Sequence, residues 1–148
     1  MTPNLHDIDT FQLRFGRKAA YESAFEFMFE YISRIRTKLP ALTAHAWEIV
    51  KRVRSGTAST EERDRIITEM WHYINRNESL VAPGPPDCCI MRPIMFLVKD
   101  TPREDEPVSE VVAWFLYFAD KFEDHSADVA ELVRRYFSSQ PSAGRVLN

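Results

Sequence analysis

Nine consecutive apolar residues, Val111 to Ala119, stand between Glu110 on one side and Asp120 and Lys121 on the other. The run is far shorter than the ~20 apolar residues that cross a bilayer. A helix that is apolar around nearly its whole circumference has to be enclosed by other elements. The pattern therefore predicts a buried central helix near 108–122, with Pro107 well suited to its first position.

The rest of the chain repeats the helical period. From Arg17 to Leu39, Ala20, Ala24, Met28, Ile32 and Ile35 recur at spacings of four and three. Phe25, Phe29 and Tyr31 widen that stripe, Glu22, Glu26 and Glu30 form a polar row, and Pro40 ends the helix. Leu42, Ala46, Ile49, Val50 and Val53 mark a second helix closed by Gly56. Ser59 and Glu62 fit a capping box for a third, whose apolar face is Ile66, Ile67, Met70, Trp71 and Ile74. Val129, Leu132, Val133, Tyr136 and Phe137 share one face of a last helix, with Ser126 as its cap.

Two stretches read both ways. Phe11, Leu13 and Phe15 alternate as in a strand, but Asp9 and Thr10 can each cap a helix, which favours helix over 10–15. Cys88 to Val98 is either a helix kinked at Pro93, which Asp87 would cap, or a loop and a buried strand; we take helix. Three prolines and a glycine within 80–87 predict a fixed bend, and residues 1–9 and 139–148 carry no pattern and are expected to be loosely ordered. The fold expected is all-α: one domain, 1–148, with five to six helices around the segment near 108–122.

Composition changes this picture little. Apolar residues make up 45% and only 4 glycines occur, which favours helices over a turn-rich β fold. The net charge of −3 speaks against nucleic acid as a partner. Charge is unevenly shared: residues 1–76 carry 12 Lys/Arg against 10 Asp/Glu, and residues 77–148 carry 7 against 12. An acidic half favours a basic partner. Adjacent Cys88 and Cys89 cannot staple distant segments, and the first residues lack a basic, then apolar, leader. These features predict a cytoplasmic protein with reduced thiols and no membrane association.

Candidate chemistry is sparse. Glu69 and His72 lie three apart on one helix face, half of a carboxylate-bridged metal motif, but no other Glu is followed by His at that spacing. Cys88 or Cys89 would need His45, His72 or His125 as a base, and no nucleophile turn accompanies them. Arg92, inside an apolar segment, must find a partner, and a carboxylate near the 108–122 helix is the one expected. The basic groups Arg34, Arg36, Lys38 and Lys51, Arg52, Arg54 stand near helix C-termini, where cations are favourable without any ligand. Asp120, Glu123, Asp124 and Asp128 would form a row of carboxylates if one helix carried them all, and these are the candidate partner-binding residues. No phosphate-cradling loop or dinucleotide fingerprint occurs, so no cofactor and no catalysis are expected.

Two segments, YESAFEFMFEYISRIRTKLP (21–40) and SEVVAWFLYFADKFEDHSADVAELVRRYF (109–137), resemble helices of the small all-α immunity proteins that bacteria encode beside polymorphic or contact-delivered toxins. The resemblance is one of character and carries no residue roles. It implies a non-enzymatic inhibitor that blocks a cognate toxin by direct binding, and the acidic half of the chain makes a basic toxin domain the partner expected.

Overall fold

The helical periods of the sequence become seven α-helices in a computed structural model that describes residues 5–77, 85–101 and 105–138, with Ser126 described by its backbone alone. They are α1 (His6–Phe15), α2 (Arg17–Ile35), α3 (Ala41–Ser55), α4 (Thr60–Asn77), α5 (Pro86–Lys99), α6 (Val108–Phe122) and α7 (Ser126–Tyr136). Among the described residues there is no strand, so both ambiguous stretches are helical. The protein is all-α.

Local chemistry explains most boundaries. α1 and α2 are separated by Gly16 alone, at φ 92° and ψ 164°. Its N–H donates to the Gln12 carbonyl of α1 at 2.9 Å, and its own carbonyl accepts from Ala20 N–H of α2 at 3.1 Å. α2 stops earlier than Pro40 requires: residues Arg36–Lys38 tighten into a single 3-10 turn, and Pro40 takes the N-cap position of α3. Gly56 caps α3 in the left-handed region, at φ 77° and ψ 19°. Ser59 accepts from Glu62 N–H at 3.1 Å, as a capping box requires, but the Glu62 carboxylate pairs with Arg52 at 2.6 Å instead of turning back. Pro85 holds the N-cap position of α5, placing Asp87 in the first turn. α6 begins one residue after Pro107, and α7 begins at Ser126 with His125 in the capping position. Residues 80–84 of the expected bend, and the termini 1–4 and 139–148, lie outside the described residues. Residues 5–9 differ from expectation: His6 to Asp9 belong to α1, because Ile8 is fully buried and anchors that turn.

The chain divides into two compact units. The first comprises Met1–Arg34, Pro102–Tyr117 and Asp124–Asn148. Here α1, α2, α7 and the first part of α6 interlock through aromatic rings. Phe11 meets Phe137 edge-on with centroids 5.5 Å apart, Phe27 lies 6.3 Å from Phe137, and Tyr31 meets Phe115 edge-on at 5.5 Å. The Gln12 side-chain carbonyl accepts from Val108 N–H at 3.1 Å, satisfying a backbone donor in the first turn of α6. The second unit comprises Ile35–Thr101 and Phe118–Glu123. α5 packs against both α3 and α4 there, and Arg63 of α4 caps the end of α5, donating to the Val98 carbonyl at 2.9 Å and also to that of Lys99.

Burial is distributed differently from the reading of the apolar run. α6 has the expected bounds and buries Val108, Val111, Val112, Phe115, Leu116 and Ala119. Its opposite side faces solvent at Glu110, Trp114, Tyr117, Asp120 and Lys121. Enclosure on all sides belongs instead to α5, where Cys88 to Met91, Pro93 to Met95, Leu97 and Val98 are buried, and to the middle of α2, where residues 23–28 are all buried, Glu26 included.

Candidate functional site

The four carboxylates expected to form one row do not share a helix. α6 ends at Phe122 and α7 begins at Ser126, so Glu123 and Asp124 sit in the break. Glu123 pairs with Lys38 Nζ at 2.5 Å. Asp128 faces Arg34 at 3.4 Å and His125 Nδ1 at 3.6 Å. Asp120 and Asp124 are exposed. Glu123 and Asp128 are thus drawn into ion pairs within the chain.

Asp128 borders a network that fastens α7 to α2. Glu30 accepts from Arg34 Nη2 at 2.5 Å, from Arg135 Nη1 at 2.6 and 2.8 Å, and from the Tyr136 hydroxyl at 2.5 Å. Glu131 pairs with Arg34 at 2.8 Å and with Arg135 at 2.6 Å. Burial pushes the Glu30 carboxyl up, but hydrogen bonds from Tyr136, Arg34 and Arg135 outweigh it and hold the group below its ordinary value. Desolvation, followed by the Glu30 carboxylate, pushes the Tyr136 phenol up to about 12. A carboxyl with a lowered native pKa contributes stability that is complete above the unfolded pKa, ~4.3, and is lost as pH falls through the native value. Glu30→Gln is therefore expected to lower stability at pH 7 while flattening its decline below about pH 4.3, measured as urea midpoints across that range. Parallel acid limbs in the two proteins would contradict the network.

The other candidates separate in space or in environment. Glu69 and His72 are exposed on α4, and among the described residues no three His, Cys, Asp or Glu side chains are grouped as metal ligands would be. Cys88 and Cys89, neither joined in a disulfide, are buried completely on α5, while His45 and His72 are exposed. Arg92 is not explained by a carboxylate alone. Its guanidinium lies 5.3 Å from the Trp71 ring centroid and 5.4 Å from that of Phe118, a cation held between two π faces. The C-terminal cations are largely paired: Arg34 in the network above, Lys38 with Glu123, Lys51 with Glu48 and Arg52 with Glu62.

The feature that the apolar run concealed is on α6. Trp114 is 38% exposed and Tyr117 is 52% exposed, three residues apart on one helix face. Phe115, between them, is fully buried. The outward aromatics could have been found from the phase of the charge, because Glu110 precedes Trp114 by four residues and Tyr117 by seven. Each of these rings has an apolar body and a polar tip. Comparison with protein-family models, curated proteins and solved structures found no match.

Proposed function

We propose that this chain is a non-enzymatic binding protein that captures another protein against the outward face of α6, with Trp114 and Tyr117 as its anchors. The finer form of the proposal follows the resemblance of the helices: a cytoplasmic, immunity-type inhibitor that neutralises a cognate toxin by covering its working surface. The observation that carries the reading is the outward Trp114–Tyr117 pair on a helix whose other side is packed. Tryptophan and tyrosine are enriched where binding energy concentrates, because each supplies a large contact area at a low entropic cost. Asp124, exposed, adds a carboxylate for steering a basic partner, which acts on the association rate more than on the final affinity. Glu123 and Asp128 are left to their ion pairs with Lys38 and Arg34.

The test uses the polypeptide encoded beside this gene as the partner, titrated calorimetrically with the full chain. Trp114→Ala and Tyr117→Ala are each expected to weaken binding about 30-fold, the ~2 kcal/mol of an interface anchor. Asp124→Lys should slow association and leave dissociation nearly unchanged. Unaltered affinity in both aromatic variants would overturn the assignment of this face. Absence of any complex with the wild-type chain would overturn the inhibitor reading itself.

A further inference from the structure

A second surface, within the first unit, has the chemistry of a small-molecule site. α1 and the end of α7 enclose an open cleft of about 400 Å³, within the ~300–1,000 Å³ typical of ligand pockets. Phe11 and Phe137 form its floor, both buried and packed edge to face, and half-buried Phe15 extends it with its ring 4.7 Å from Phe11. Arg14 and Arg134 stand exposed on the rim, one from each helix. Arg14 lies 5.2 Å from the Phe15 centroid, and among the described residues neither arginine pairs with a carboxylate. Asp7 also lines the cleft, but it precedes Arg14 by seven residues, ~10 Å along the helix. The lining therefore carries two positive charges and one negative, with Asp7 set apart from Arg14.

We infer that the cleft between α1 and α7 binds a small aryl carboxylate, its ring on the phenylalanine floor and its carboxylate between Arg14 and Arg134. The planar guanidinium fork matches a carboxylate in two parallel hydrogen bonds, and an apolar floor beneath it selects an anion that carries a ring over a fully hydrated one. This site is independent of the α6 face, and the two readings stand or fall separately.

Naphthoate is the probe, titrated into the full chain and followed by the backbone amide shifts of Phe11, Phe15 and Phe137. Saturable binding with a Kd near ~0.1 mM is expected, with neutral naphthamide at least ~10-fold weaker. Arg14→Gln and Arg134→Gln, both at exposed positions, are each expected to weaken binding about tenfold, and Asp7→Asn to tighten it about threefold. Trp114→Ala should leave the titration unchanged. The inference is overturned if no saturation is reached by about 10 mM, if naphthamide binds as tightly as naphthoate, or if both arginine variants bind like the wild type.

Discussion

Phe115→Ala is expected to destabilise the protein by about 3–5 kcal/mol, whereas Trp114→Ala, one residue earlier, should cost about 1 kcal/mol. The contrast comes from helix phase. Phe115 is fully buried, and its ring meets Tyr31 of α2 edge-on at 5.5 Å. Its removal forfeits the transfer energy of the ring, leaves a cavity that rigid neighbours cannot close, and breaks an aromatic pair worth a further ~1 kcal/mol. Trp114 already keeps 38% of its surface in water. A domain with a typical ~5–15 kcal/mol of stability survives the first substitution only narrowly, so Phe115→Leu, expected to cost about 1.5 kcal/mol, accompanies it. Urea denaturation of the variants, with slopes compared as well as midpoints, measures all of these. Equal losses at 114 and 115 would mean that α6 is not amphipathic as described.

The second large effect concerns backbone alone. Gly16→Ala is expected to cost about 2–3 kcal/mol, more than the ~1 kcal/mol expected for Gly56→Ala. Space does not decide this, since a Cβ at either glycine meets nothing within 4 Å. Conformation does. Gly56, at φ 77° and ψ 19°, lies in the left-handed helical region that other residues enter at modest cost. Gly16, at φ 92° and ψ 164°, lies in a region closed to nearly every residue with a Cβ. The strain is unavoidable because α1 ends and α2 begins on this one residue, whose N–H and carbonyl are both committed to helix hydrogen bonds. Thermal midpoints of the two alanine variants provide the check; a Gly16→Ala protein as stable as Gly56→Ala would contradict this geometry.

These cases show which parts of the fold were legible in the sequence. Helix periods, the Gly56 cap and the Ser59 cap are local signals, and local hydrogen bonding fixes them. The one-sidedness of α6 was hidden because Trp114 and Tyr117 count as apolar in a pattern, while indole and phenol rings each have an edge that tolerates water. Only the charges at its two ends, Glu110 before the run and Asp120 and Lys121 after it, reported the solvent stripe. The carboxylate row failed for a related reason. The break after Phe122 carries neither proline nor glycine, so the pattern left open whether one helix carried Asp120 to Asp128, and the cations that pair with Glu123 and Asp128, Lys38 and Arg34, are 85 and 94 positions away in the chain. The cleft lined by Arg14 and Arg134 was invisible for the same reason, since its two walls come from opposite ends of the sequence.

Everything proposed for the α6 face depends on two rings being wet in the free protein and dry in its complex. Hydroxyl-radical footprinting read residue by residue measures that directly. In the free chain, Trp114 and Tyr117 should be oxidised readily while Phe115 is spared, and addition of the partner should protect both. A free monomer in which Trp114 is as protected as Phe115, or a complex in which both rings react as freely as before, would contradict the account.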